Sequence, residues 1–330
     1  MINIILIGGN RLNSNQPIET INRLAKTKKM QITVLTEKVH LNKPINKNFK
    51  FKSFLEKKKI NYYSVANINS EIHLLKKIKK TNNKNIVLLV GCIWKINKKI
   101  IDLFNKDIFN YHIGELPSQK GAGGASWLKL RNENNSALSI HRVAIKIDDG
   151  PLVLEKKFKL NNDFTILNYY EKVNKLEKKF FLEFLKRIDG KKGFNKILKK
   201  DSIDCYMPRL NTKINAYIDW TWSSKNISEF INSFSRPHEG AKSFINKKKV
   251  YFKKSSFKLS KLNFHPFQYG LIFKKDKKNL YILAKDGFVI IPTNEVFSKK
   301  IKKFSLGSRI YTPISYLDRS MIYRENFKKI

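Results

Sequence analysis

The stretch INIILIGGNRLNSNQPIETINRLAKTKKMQITVLTE (residues 2–37) reads as a strand, a glycine turn, a helix and a second strand. Residues 2–7, INIILI, alternate too little for a half-exposed strand and suit a parallel strand covered on both faces. Gly8-Gly9-Asn10 ends that run, PIETINRLAKTKK carries a helical pattern, and QITVLTE (31–37) supplies the next strand. Two strands joined by a helical crossover open a doubly wound, mostly parallel α/β sheet of Rossmann-like type. The two glycines fall short of a dinucleotide fingerprint and read as a plain strand-to-helix turn, with Asn10 placed to face a ligand across the cleft.

Working outward, residues 38–68 are basic and irregular, with a helical piece near 51–59 and YYSV as a short strand. SEIHLLKKIKK opens with Ser70 as an N-cap and carries an apolar stripe at Ile72, Leu75 and Ile78; His73 on it reads as a surface or packing residue. IVLLVGCIW (86–94) is the next buried strand, and INKKIIDLFNKDIF a helical crossover into a short strand over 108–112. Alternate residues of a strand share a face, so Asn110 and His112 point into one pocket. WLKLRNEN (127–134) suits a helix, SALSIHRVAI (136–145) a strand, KIDDG a loop, PLVLEKKFKL a strand, and 162–190 a long amphipathic helix. That helix closes a first domain over 1–190.

Residues 191–213 are polar, basic and broken by Gly and Pro, as a linker is. Short alternating segments follow in 214–330: KKVYFKKSSFKL, GLIFKK, LYILAKDGFVIIP and RIYTPISYL. They predict a small antiparallel barrel of the oligonucleotide-binding type, with Asp286-Gly287 at a hairpin turn.

Composition bounds the function. An apolar content of 42% in 330 residues supports a large folded core. Two cysteines, Cys92 and Cys205, at no metal-ligand spacing argue against a disulfide scaffold or a metal site, and Cys92 reads as a packed small apolar residue. The start of the chain has neither the basic segment nor the cleavage site of a signal peptide, and the longest apolar run falls far short of the ~20 residues of a membrane span. A cytoplasmic enzyme with no membrane partner is the expectation. The net charge of +41 has two readings: compositional drift of surface positions in a Lys-, Asn- and Ile-rich chain, or attraction to an anionic partner.

Four pieces decide the chemistry: Asn110 with His112, Leu116-Pro117 with Lys120-Gly121, His141, and Asp148-Asp149-Gly150-Pro151. In this order and at these separations they resemble the folate-dependent formyltransferases, and the segment YIDWTW with Arg236, Pro237, Gly240 and Ala241 is similar to the start of that family's C-terminal domain. The resemblance implies transfer of a formyl group from 10-formyltetrahydrofolate to a primary amine. It implies Asn110, His112 and Asp148 as catalytic residues: the first two steady the oxygen that gains charge in the tetrahedral intermediate, and the third favours the imidazolium and takes the proton lost by the amine. It further implies that the pterin ring meets backbone near Trp94 and Ile96, that the loop with Ile147 and Asp149 forms the second wall, and that His141 supports the site.

The chain departs from the family pattern at Ile113-Gly114-Glu115, where Pro-Ser-Leu is usual, and at Gly121-Ala122-Gly123-Gly124. Gly114 reads as loosening the backbone, and Glu115 as an acid where an apolar residue is usual, both on the acceptor side of the site. Three functions stay open: formylation of an amino sugar linked to an anionic nucleotide, formylation of methionyl-tRNA, and RNA binding without catalysis.

Overall fold

The computed structural model describes residues 1–9, 18, 21–22, 30–46, 49–189, 197, 203–298 and 304–324. Asn10 and most of the 191–202 segment lie outside them. The first half of the chain builds one seven-stranded sheet from β1 (Ile2–Gly8), β2 (Met30–Thr36), β3 (Asn61–Ser64), β4 (Lys84–Val90), β5 (Ile108–Ile113), β6 (Asn135–Arg142) and β7 (Leu152–Lys159). Their spatial order is β7-β6-β5-β4-β1-β2-β3. The five strands β1 to β5 run parallel; at one edge β6 pairs antiparallel with β5, and β7 antiparallel with β6.

The poorly alternating runs divide between two apolar layers. Ile4 and Leu6 of β1, with Ile86, Leu88 and Val90 of β4, face one core; Ile5 and Ile7, with Val87 and Leu89, face the other. A strand buried on both faces needs apolar residues at both parities, which is why INIILI lacks a polar face. Helices α1 (Ile72–Ile78) and α2 (Lys98–Leu103) cover the second layer through Leu75, Ile78, Ile100 and Ile101. The first is covered by the 24-residue helix that follows β7, through Val173, Phe180, Phe181, Phe184 and Ile188. At the start of α1 the expected cap is displaced: Ile68–Ser70 form a 3-10 turn capped by Asn67, and Glu71 is the N-cap residue of the helix.

Register places the functional end of the sheet. Asn110 of β5 stands level with Leu89 of β4, and Leu89 with Ile7 of β1. His112, Gly91 and Gly9 therefore line the carboxyl edge, where ligands bind in open parallel sheets. A Cβ on Gly9 would lie 2.9 Å from the Gly91 carbonyl and 3.0 Å from His40 Nε2, so close packing of this turn requires glycine.

The second half surrounds a separate core with two four-stranded antiparallel sheets. One orders Val296–Phe297, Lys248–Phe252, Ala241–Ile245 and Ile310–Tyr311; the other orders Ser256–Leu259, Gly287–Pro292, Asn279–Ala284 and Ile272–Lys275. KKVYFKKSSFKL and LYILAKDGFVIIP thus each contribute two strands, and the second of them turns at Lys285-Asp286, immediately before Gly287. RIYTPISYL is a strand only at Ile310–Tyr311; Pro313 cannot extend a ladder, and a helix runs from Ile314 to Ile322.

Two helices join the halves. α3 (Gly124–Leu130) meets α4, here the helix Ser224–Ser233, through a hydrogen bond of 2.8 Å from Ser126 Oγ to the Ser233 carbonyl. The Trp127 indole donates to the Pro208 carbonyl at 2.9 Å, and Leu130 packs on the second core.

Candidate functional site

The β5–β6 pairing brings three expected residues together. Asn110 stands directly opposite His141, and His112 opposite Ser139. The loop from β6 to β7 then folds Asp148 back over them. Arg142 N donates to the Pro151 carbonyl at 2.9 Å and closes this loop. Gly150 permits the closure, because a Cβ there would lie 1.7 Å from the Arg142 carbonyl oxygen. Asp148 itself takes a left-handed conformation, with φ 51°.

The Asp148 carboxylate is buried, at 8% exposure, and engaged on both oxygens. Oδ1 accepts from Asn110 Nδ2 at 3.0 Å and lies 3.2 Å from His141 Nε2. Oδ2 accepts from the Gly121 amide at 2.8 Å and lies 3.5 Å from His112 Nδ1. Burial pushes this carboxyl up, but His112, His141 and the Gly121 N–H outweigh it and hold the group well below the usual carboxylate range. Asp148 is thus ionised at neutral pH.

Carbonyl acceptors fix where the ring protons sit. His141 Nδ1 lies 2.8 Å from the Arg142 carbonyl, and His112 Nε2 lies 2.6 Å from the Gln119 carbonyl. A carbonyl only accepts, so both nitrogens carry hydrogen. The His112 Nε2–H is therefore held by the chain itself. Gly114 makes this arrangement possible: a Cβ there would lie 2.5 Å from His112 Nε2 and 2.8 Å from the Gln119 oxygen. Its role is space for the imidazole, and this departure bears on His112 as well as on the acceptor side. Glu115 is ion-paired to Lys157 of β7 at 2.6 Å.

Gln119 was not evident from the sequence, yet it ties down the 113–120 loop. Its side-chain oxygen accepts from the Glu115 amide at 2.9 Å and Ser136 Oγ at 3.0 Å, and its amide donates to the Asn135 carbonyl at 3.0 Å. In the sequence Lys120 stands out only as part of the Lys-Gly motif. The structure buries it to 7% exposure, with Nζ 2.5 Å from Asp149 and 2.7 Å from Asp204. Burial disfavours its charge, but the two carboxylates prevail and raise its pKa.

The residues expected on the donor side lie after β4 and in the β6–β7 loop. Trp94 and Ile96 follow β4 at the carboxyl edge, each only 3% exposed. The buried Trp94 Nε1 has no acceptor among the described residues. In the β6–β7 loop Ile147 is half-buried and Asp149 exposed; His141, at 2% exposure, lies against Asn110 and Asp148. A cleft of about 260 Å³ opens beside this loop, lined among others by Pro117, Lys120, Asp148, Asp149, Ile197 and Asp204.

The family model described as formyl transferase matches residues 3–185, and that of the formyl transferase C-terminal domain matches residues 211–305. The chain belongs to the formyl transferase family. Among formyl transferase relatives, the methionyl-tRNA formyltransferase of Pseudothermotoga lettingae is 26% identical over 225 residues, covering 68% of this chain and 71% of that protein. The bifunctional polymyxin resistance protein ArnA of Wigglesworthia glossinidia brevipalpis is 29% identical over 196 residues, covering 57% of this chain and 29% of ArnA. The chain thus spans less than a third of ArnA and 56% of the methionyl-tRNA formyltransferase of Prochlorococcus marinus strain AS9601. In fold it resembles the N-formyltransferase from Helicobacter canadensis, solved with folinic acid and dTDP-3-aminofucose, with a TM-score of 0.65 at 19% identity over 88% of this chain and 99% of that one. No helix among the described residues is long and apolar enough to cross a membrane.

Proposed function

We propose that this formyl transferase moves a formyl group from 10-formyltetrahydrofolate to the primary amine of a sugar linked to an anionic nucleotide. The observation that carries the chemistry is the meeting of Asn110, His112 and Asp148 at the carboxyl edge of the sheet, with the carboxylate ionised and buried. When the amine adds to the formyl carbon, the carbonyl oxygen becomes an oxyanion. The His112 Nε2–H shifts its hydrogen bond from the Gln119 carbonyl to that oxygen, and Asn110 donates beside it; each such donor lowers a barrier by about 3–4 kcal/mol. Asp148 stabilises positive charge on His112 and relays, directly or through water, the proton lost by the amine to N10 of the leaving tetrahydrofolate, as the bond from the formyl carbon to N10 breaks and the new amide remains. The backbone at Trp94 and Ile96 and the Ile147–Asp149 loop hold the donor's pterin ring between them.

The amino-sugar acceptor draws support from the altered 113–124 loop and from the sugar nucleotide named with the Helicobacter canadensis structure. A second reading, methionyl-tRNA as acceptor, draws support from the C-terminal family match, the +41 charge and the methionyl-tRNA formyltransferases among the relatives. Both fit the antiparallel second half. The test is to supply 10-formyltetrahydrofolate with amino-sugar nucleotides and, separately, charged initiator tRNA, and to follow release of tetrahydrofolate. Release with the sugar nucleotide alone is expected. Release only with tRNA selects the second reading, and none with any amine, under conditions where folate binds, overturns formyl transfer.

A further inference from the structure

The segment Asp204–Met207 reads as linker in the sequence, yet it reaches the catalytic carboxylate by two routes. The first is backbone. Tyr206 and Met207 pair in parallel with Lys120 and Gly121, through Lys120 N to the Cys205 carbonyl at 3.1 Å and Ala122 N to the Met207 carbonyl at 3.0 Å. Cys205 N donates in turn to the Pro117 carbonyl at 3.2 Å. Gly121, held in this way, donates its own amide to Asp148 Oδ2. The fit is tight: Gly121 has φ +98°, and a Cβ there would lie 2.0 Å from the Met207 carbonyl oxygen.

The second route is ionic. Asp204 holds Lys120 Nζ at 2.7 Å, and Lys120 holds Asp149, the residue next to Asp148, at 2.5 Å. The lysine is buried while Asp204 is well exposed, so Asp204 is the solvent-side anchor of a cation that lies under the loop. A buried ammonium requires partners, and removing one loosens what the other secures. Both routes end on adjacent residues of the loop that closes over Asn110 and His112.

We propose that Asp204 is a positioning residue for formyl transfer: through Lys120 it docks the linker strand and holds the 147–150 loop where Asp148 meets Asn110, His112 and His141. This inference rests on the reading of Asp148 as catalytic. The linker is then part of the active site, and its docking and catalytic competence are one event. A loop displaced by a fraction of an ångström keeps its substrate contacts but loses alignment at the reacting centre.

Asp204→Asn tests this in the full chain. With an accepted amine, kcat falls about tenfold while KM for the amine stays within about twofold, and Asp204→Glu restores most of kcat. In the same variant, amide exchange of peptides covering Gly121 and Asp148 accelerates about tenfold without change in the second core. Wild-type kcat in Asp204→Asn overturns the proposal, as does a lost kcat that Asp204→Glu leaves unrestored, or faster exchange with unchanged turnover. Should Asp204→Asn fail to fold by circular dichroism, Lys120→Met, which keeps the apolar stem, gives the same readouts. Full activity of Asp148→Asn would instead overturn the catalytic reading, and exchange at Gly121 would still report whether Asp204 docks the strand.

Discussion

His112 is held at both ring nitrogens, by the Gln119 carbonyl at 2.6 Å and near Asp148 at 3.5 Å, and that geometry sets what its loss should do. His112→Ala removes the donor proposed for the oxyanion. Turnover is expected to fall by about two orders of magnitude, near 3 kcal/mol of transition-state stabilisation, while folate binding measured by calorimetry changes little. Unchanged turnover would remove His112 from the mechanism. Asp148 yields a prediction in stability. Its carboxyl is held below the usual range in the folded protein, so its contribution is complete above the unfolded value of about 3.9 and is lost as pH falls through the lower, folded one. The difference in unfolding free energy between wild type and Asp148→Asn, measured in denaturant, should shrink as pH falls below about pH 4. A difference that does not shrink below about pH 4 would show that the carboxylate is not held low. At this scale the sequence was legible where a rule of geometry applied: strand alternation placed Asn110 beside His112. It was not legible where function depends on empty space. Gly114 reads as a flexible position, and only the fold reveals an imidazole 2.5 Å from where its Cβ would be.

Among the elements, the β6–β7 connection carries the heaviest demand. Gly150 sits where a Cβ would overlap the Arg142 carbonyl, two residues from Asp148. Gly150→Ala must open the loop, and the expected cost is about 1–3 kcal/mol, seen as a lowered Tm, together with a loss of kcat larger than that of any substitution on the exposed face of the long helix. A Tm and kcat equal to wild type would mean that the loop does not position Asp148. The parallel strands and the long helix were readable because burial on both faces, or on one stripe, writes a period into the residues. Tyr206–Met207 was not: a strand of two residues that pairs with Lys120–Gly121 has no room for a period. The terminal helix at Ile314–Ile322 was hidden for a related reason, since two strand residues and Pro313 precede it within one short apolar run. Distant pairing and abrupt changes of element are tertiary facts, and composition alone does not carry them.

For the whole molecule, the open question is what 67 basic against 26 acidic residues do. Charge of this size attracts any polyanion, so binding to RNA in low salt discriminates nothing. Dependence on salt does. A tRNA seated by 6–10 phosphate contacts would lose roughly 10³- to 10⁵-fold in affinity between 50 and 200 mM salt, because each neutralised phosphate releases counterions. A nucleotide-linked sugar engages only its own few phosphates, and its loss over the same range should stay near tenfold or less. The quantity to measure is kcat/KM for each acceptor across that range, with the folate saturating. For an amino-sugar nucleotide the plot of log kcat/KM against log salt should be shallow, and the excess charge is then surface composition that the active site does not use. A steep plot with tRNA as the turned-over acceptor would mean that the basic surface is the acceptor site, and that the antiparallel second half belongs to substrate recognition as much as the sheet that carries Asn110.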